Sequence, residues 1–314
     1  MGVDMDQTAV VLGHTFAMCD QNPGPKLRER LKDFILLTYR RGLSIHLPRF
    51  YAGNIPKRFY GIWPLWQQTD IKTDRGWGCA LRATQMALAE ALRDVLSPLD
   101  NVQEQRSRIL QLFYDTTEAP FSLENLVMAD VEHGACIKPL QFGCASSAFL
   151  ISHLINTQKT LNIASIAFTD GIVDIKKIER ATSEQRNVVA WITVQKELSE
   201  SQNECLKYLF TLPWFKGMVG AKKDKQRAYY FVGHHGNQAL YLDPHEYCPD
   251  RLDNTSDPIY NYVKKLNRLP WDTLNQSKTM CLLIQNNAEL RNFLRALSRF
   301  PLRALPFEMA NAIY

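Results

Sequence analysis

No stretch of the 314-residue sequence stays apolar for the roughly 20 residues that a membrane-spanning helix requires. No Cys-x-x-Cys pair occurs. The seven cysteines, Cys19, Cys79, Cys136, Cys144, Cys205, Cys248 and Cys281, are odd in number and scattered. That argues against a secreted disulfide framework and for free thiols in a reducing compartment. Met1 to Gln7 carries two aspartates and no basic-then-apolar run, unlike a signal peptide. Asp6 stands where a myristoylation signal needs Ser or Thr, and the final four residues offer no cysteine to lipidate. The charge excess is small: 37 Lys+Arg against 32 Asp+Glu give +5, too little to point to nucleic acid. These absences lead to the expectation of a cytoplasmic, soluble chain with no nucleic-acid partner.

What is present looks globular. Hydrophobic residues make up 46% and charged residues 22%, enough apolar material in a chain this long for a large core without staples. No repeat, low-complexity tract or flexible linker divides it, so a single continuous domain is expected. Thr8 to Gly13 reads as a strand. Lys26 to Arg40 reads as a helix, with Leu27, Leu31, Phe34 and Ile35 near helical spacing. Pro48 to Asp74 is aromatic and irregular. Cys79 to Leu96 is the clearest helix, stopped by Pro98. Further helices are expected over Gln103–Tyr114, from a Ser122 cap onward, and over Ser146–Asn156. The second half turns to strands at Leu161–Phe168, Val188–Val194, Ala228–Gly233, Gln238–Asp243 and Thr279–Gln285. Short helices are expected at Asn203–Thr211 and Ala288–Phe300, the latter with Arg291, Arg295 and Arg299 on its outer face. Helices first and strands later is an α+β order.

Asp74-Arg75-Gly76-Trp77-Gly78-Cys79 holds the first chemistry. Two glycines permit an unusual backbone turn, and Cys79 then starts the strongest helix. A thiol there sits at the positive end of the helix dipole beside unpaired backbone N–H groups. That environment favours thiolate, and the same N–H groups can stabilise an oxyanion. A nucleophilic thiolate needs an imidazole and a group to orient it. Asp243-Pro244-His245 follows a predicted strand, and residues two apart in an extended segment face the same side. His245 would pair with Cys79 and Asp243 would fix the ring. His234 and His235 are adjacent but lack two further ligands at usable spacing. His14, His46, His133 and His153 have no companions in sequence and keep bland readings. The basic run Lys222, Lys223, Lys225 and Arg227 reads as a solvated loop, or as a mobile flap hinged on Gly217 and Gly220.

The run Asp74-x-Gly76-Trp77-Gly78-Cys79-x-Leu81-Arg82-x-x-Gln85-Met86 resembles the nucleophile motif of the autophagins, the autophagy-related cysteine proteases. Ala228-Tyr-Tyr-Phe-Val-Gly233 followed by Leu240-Tyr-Leu-Asp243-Pro-His245 is similar to the second signature of that family. Pro120-Phe-Ser122-x-x-Asn125-Leu126-Val127 looks like a third. The resemblance runs over roughly residues 8 to 300.

The resemblance implies a papain-like cysteine protease fold of α+β class, with a small auxiliary lobe inserted within 160–215 and a C-terminal tail at 301–314. It implies a Cys79–His245–Asp243 triad, with the acid two residues before the histidine. The separation of Cys79 from His245 exceeds the roughly 130–150 residues of papain, as an inserted lobe would produce. Thr38-Tyr39-Arg40 matches the stretch that carries the family's oxyanion-hole tyrosine, so Tyr39 and the Cys79 backbone take that role. The implied substrate is a ubiquitin-like autophagy modifier. It is cut after its C-terminal glycine in the precursor, and the same glycine is later cut from phosphatidylethanolamine. Transient contact with membranes carrying the lipidated modifier, a monomeric state and no cofactor or metal follow from the same resemblance.

Three stretches depart from the family pattern. Gln141 replaces the cleft tryptophan in Gln141-Phe142-Gly143-Cys144, so Trp77 and Gln141 are the expected cleft residues under a rebuilt gate. Gly220-Ala221-Lys222-Lys223 lacks the usual proline of the regulatory loop and is more basic. Phe307-Glu308-Met309-Ala310 resembles an aromatic-x-x-aliphatic modifier-binding tail, but Ala310 is too small for the last pocket. The altered gate motivates one alternative, a catalytically weak or inactive modifier-binding protein of the same fold.

Overall fold

The computed structural model describes residues 8–19, 22–48, 70–96, 102–246, 250–255 and 261–310. The first and last residues of the chain, most of the aromatic stretch after Pro48 and Cys248 lie outside them.

The described chain opens with a hairpin of β1 (Thr8–Val11) and β2 (His14–Cys19), extended by β3 (Asn22–Pro23). Helix α1 (Pro25–Asp33) begins on a proline, whose missing N–H would have had no helical partner anyway. The sequence pattern carries this helix to Arg40, but it ends at Asp33. Beyond it Phe34, Ile35, Leu36 and Leu37 are all buried. A helix shows one stripe to the core, whereas an extended segment can bury both sides. The Leu36 N–H donates to the Asn261 carbonyl (2.9 Å), and Ile35 bridges Tyr262, so a neighbouring segment takes the backbone groups that a helix would use.

Strands β4 (Arg41–His46) and β5 (Asp70–Thr73) pair with each other and lead to α2 (Cys79–Val95). Fourteen of the seventeen residues of α2 are buried. A helix apolar almost all round belongs at the centre of a molecule, and α2 packs accordingly on the main sheet and on other helices. Helices α3 (Val102–Gln111), α4 (Leu123–His133) and α5 (Cys144–Thr157) follow. At the start of α4 the Ser122 hydroxyl accepts from the Asn125 N–H (3.1 Å), and at its end Gly134 adopts φ 62°, the usual serine and left-handed glycine caps.

The second half supplies β6 (Ile163–Phe168), β7 (Ile172–Val173), α6 (Ile175–Ser183), β8 (Asn187–Gln195), α7 (Glu200–Leu209), β9 (Phe215–Lys222), β10 (Lys225–His235), β11 (Gln238–Leu242), β12 (Asn267–Pro270), β13 (Leu274–Ile284), α8 (Asn287–Leu297) and β14 (Glu308–Met309). Ten strands form one sheet in the order β3-β2-β1-β10-β9-β13-β8-β6, with β11 and β12 continuing from the other edge of β10. Within it only β6 and β8 run parallel. Helix α2 lies on β10, β9 and β13, and α5 on β6, β8 and β13. The fold is α+β, as the element order indicates. Among the described residues no helix is long and apolar enough to cross a membrane.

The basic stretch after Gly220 is not a long flap. Lys222 pairs with Lys225 across a tight turn, and Gly217 and Gly220 lie inside β9. Gly217 has φ +91°, and a Cβ there would meet the Phe231 carbonyl oxygen at 2.5 Å. Its positive φ and the close passage of β10 both exclude a Cβ, and it lies paired inside the strand rather than at a hinge. At the other end, Phe307 is buried and β14 pairs with β7, so residues 307–310 are folded onto the domain.

Candidate active site

The turn before α2 is held by one aspartate. The Asp74 carbonyl accepts from the N–H groups of Trp77 (3.2 Å) and Gly78 (2.8 Å). Gly76 takes φ 92°, the left-handed region open to glycine. A Cβ on Gly78 would lie 2.7 Å from the Asp74 Cβ. The Asp74 carboxylate accepts from the Arg40 N–H (2.6 Å) and from Arg82 Nε (2.7 Å). Arg82 also donates to Asp115 (2.9 Å), whose second oxygen accepts from the Leu252 N–H (2.8 Å). Arg82 and Asp74 are wholly buried. Burial alone would lower the Arg82 pKa, but Asp115 and Asp74 hold it above its ordinary value. This buried network fixes Cys79 as the first residue of α2.

The second half of the site hangs from β11. His245 Nδ1 lies 2.6 Å from Asp243 Oδ1, and the same oxygen accepts from the His245 backbone N–H (2.9 Å). With Nδ1 engaged, Nε2 is the ring nitrogen left for chemistry. It is buried and makes no hydrogen bond of good geometry among the described residues. The Cys79 thiol is near enough to interact with the ring, the loose approach common where no substrate is bound. Tyr39 presents its ring edge-on to the imidazole at 5.2 Å, and Tyr229 stands 5.2 Å away on a tilt. The Tyr39 N–H donates to the Pro244 carbonyl (2.9 Å), so the strap before β4 is tied directly to the histidine turn.

These neighbours set the protonation states. Burial pushes the Cys79 thiol up, but the His245 imidazole, the Ala228 N–H and the Tyr39 hydroxyl together bring it below its ordinary value. Burial works against a charged His245, yet Asp243 and Cys79 raise it to about 9. Burial would raise Asp243, and its bonds to His245 outweigh that and hold it below the usual carboxylate range. Burial and the nearby Cys79 push the Tyr39 phenol well up, so it keeps its proton and can donate. The arrangement favours thiolate, imidazolium and carboxylate in one line, with a neutral phenol beside the sulfur.

Beside Cys79 opens a cleft of ≈ 350 Å³, lined among others by Trp77, Gln141, Phe142, Cys144 and Ala228. Trp77 packs on Phe142 at 5.9 Å, and its Nε1 donates to the Thr73 carbonyl (2.9 Å).

A family model for the peptidase C54 catalytic domain matches residues 25–296. The chain belongs to the peptidase C54 family. Curated relatives align over most of it. The probable cysteine protease ATG4 of Meyerozyma guilliermondii is 25% identical over 312 residues, 92% of this chain and 72% of that protein. Cysteine protease ATG4 of Saccharomyces cerevisiae is 27% identical over 232 residues, 70% of this chain and 46% of its own length. Cysteine protease atg-4.2 of Caenorhabditis elegans is 27% identical over 239 residues, 66% of this chain and 46% of its own. The chain thus spans between 46% and 72% of these relatives. The autophagin resemblance read from the motifs is borne out, and with it the papain-like α+β fold.

Of the residues singled out in this C54 member, the structure brings Cys79, His245, Asp243 and Tyr39 together, with Trp77 and Gln141 on the cleft wall. Lys222 and Lys223 sit at the β9–β10 turn, where they pair with Asp224 (3.2 Å) and Glu197 (3.3 Å). Sequence reasoning did not single out Tyr229, the Ala228 N–H, or the Arg82–Asp115 pair. Tyr229 and Ala228 stand in a quoted motif, but only the folded sheet shows that Tyr229 stands beside His245 and that the Ala228 N–H reaches the Cys79 thiol.

Proposed function

We propose that this C54 member is a cysteine endopeptidase acting in autophagy. In this reading it cleaves a ubiquitin-like modifier after its C-terminal glycine and later releases the same glycine from phosphatidylethanolamine. The observation that carries the reading is the thiol of Cys79 at the start of α2, lowered in pKa beside an imidazole that Asp243 anchors at 2.6 Å. The ATG4 names of the relatives support the autophagy assignment.

In the proposed reaction the Cys79 thiolate attacks the carbonyl carbon of the terminal glycine. Negative charge gathers on the carbonyl oxygen, where the Cys79 N–H and the Tyr39 hydroxyl donate to it. His245 Nε2 then protonates the departing nitrogen. That nitrogen is a peptide amine in the precursor and the ethanolamine amine in the lipidated form, so one site serves both. Water deprotonated by His245 attacks the thioester and frees both the modifier and the thiol. Asp243 keeps Nδ1 protonated and supports the imidazolium throughout. Trp77 and Phe142 wall the approach, which suits an extended tail ending in glycine, where no Cβ crowds the sulfur. In this reading the auxiliary lobe lies within residues 160–215.

The test mixes purified protein with a tagged modifier precursor and reads the released tail by mass spectrometry. Cys79→Ala should bind the precursor and leave it uncut, and a tail released by that variant would end the assignment.

A further inference from the structure

Two histidines that lie twenty residues apart in sequence, His133 in the last turn of α4 and His153 in α5, meet where these helices pack. Their Nε2 atoms are 3.1 Å apart and their rings 4.1 Å apart between centroids. Glu132 Oε2 lies 3.9 Å from His133 Nε2. Among the described residues this is the one group of three His, Cys, Asp or Glu side chains whose ligand atoms all fall within 4.8 Å of one another.

We propose that His133, His153 and Glu132 bind a divalent transition metal ion of the zinc class, independently of the catalytic centre. Geometry is the main argument. Two nitrogens about 2.0–2.1 Å from one zinc ion lie about 3.3 Å apart at the tetrahedral angle and about 2.9 Å apart at a right angle. The observed 3.1 Å falls between them. A carboxylate oxygen on the same ion would sit about 3.4 Å from each nitrogen, so Glu132 must close in from 3.9 Å towards His133 and from within 4.8 Å towards His153. Its exposed side chain can rotate that far. Two imidazoles and one carboxylate are a ligand set that zinc and its neighbours accept, and three protein ligands leave a fourth position for water. The His133 ring is also braced, edge-on, by Phe149 at 6.1 Å, which limits the rotation a metal would have to arrest.

The competing arrangement is a plain hydrogen bond between two neutral rings, one donating through Nε2 and the other accepting. It uses a single tautomer pairing and leaves Glu132 without a part. A bound ion engages a lone pair on each ring and the carboxylate together. It would also clamp α4 to α5, the two helices whose connection carries Leu140, Gln141 and Phe142 into the cleft.

The test titrates Zn(II) into tag-free full-length chain carrying Cys79→Ser, so that the cleft thiol does not compete, by calorimetry. Co(II) serves as the spectroscopic probe. One saturable equivalent is expected, with Co(II) ligand-field bands and no thiolate-to-metal charge transfer. His133→Ala and His153→Ala should each abolish saturable binding. Glu132→Gln should weaken it at least about tenfold, the loss that even an outer-shell partner causes. Should an alanine variant fail to fold, protection of His133 and His153 from diethylpyrocarbonate by Zn(II) in the parent chain gives the same answer. No saturable binding, binding that survives His153→Ala, no protection of the two rings, or a thiolate charge-transfer band would each overturn the proposal.

Discussion

Replacing Arg82 by Gln probes the support behind the nucleophile. Arg82 is fully buried between two carboxylates, Asp74 at 2.7 Å and Asp115 at 2.9 Å. Glutamine keeps a polar end but is too short to reach both acids and carries no charge. Asp74 would retain the Arg40 N–H and Asp115 the Leu252 N–H, so neither acid is stripped of every partner. Removing one member of a buried ion pair costs about 3–5 kcal/mol, and the retained bonds place this case near the lower end. The pH dependence follows from the orphaned acids. Burial already holds Asp74 above the usual carboxylate range and the Arg82 charge opposes that shift, so in Arg82→Gln Asp74 rises further and the folded variant holds extra protons at intermediate pH. The loss should therefore be largest at neutral pH and shrink as pH falls towards the raised values. Urea unfolding of both proteins at neutral and mildly acidic pH reads this directly. Adding Asp115→Asn to Arg82→Gln should recover part of the loss, because one unpaired carboxylate disappears. A neutral-pH loss below about 1 kcal/mol, or one that grows on acidification, would refute the reasoning, since a surface-like pair is worth only that much.

Four further outcomes follow from the site. The pH profile of kcat/KM should be bell-shaped, rising as Cys79 ionises below its ordinary value and falling near pH 9 as His245 loses its proton. Asp243→Asn removes the strongest support for the imidazolium, so the falling limb should move towards the ordinary histidine value of about 6.5; an unmoved limb would remove Asp243 from its role. Tyr39→Phe should lower kcat by about 10²–10³ with little change in KM, as the loss of one oxyanion donor does, and an unchanged kcat would assign that donor elsewhere. Iodoacetamide at about pH 6 should modify Cys79 ahead of Cys144 and Cys205, because burial pushes both of those thiols up to about 12. Equal labelling of Cys79 and Cys205 in peptide mass spectra would contradict the thiolate assignment.

Much of this was legible in the residues because local chemistry writes it there. A glycine-flanked turn before a long apolar helix marks Cys79 as a helix start, and the two-residue spacing of Asp243 and His245 is itself their contact. Ser122 announces α4 for the same reason: a cap is a local bond. Legibility fails where a distant segment decides. Phe34 to Leu37 has helical spacing, yet Asn261 and Tyr262 draw that stretch into an extended path. Gly217 and Gly220 look like hinges until β10 is seen lying against them. α6 buries Ile178, Ala181 and Thr182 against a charged outer face, but at nine residues it is too short to stand out beside the longer helices. His133 and His153 are silent in sequence because their meeting depends on how α4 rests on α5.

The pair Tyr39–Arg40 has a consequence of its own. Tyr39 is bonded through its N–H to the carbonyl of Pro244, and Arg40 through its N–H to the carboxylate of Asp74. Two consecutive peptide units thus act as a rivet between the sulfur-bearing and imidazole-bearing halves. The coupling is local to this strap, since Arg82 separately holds Asp74 and Asp243 separately holds His245.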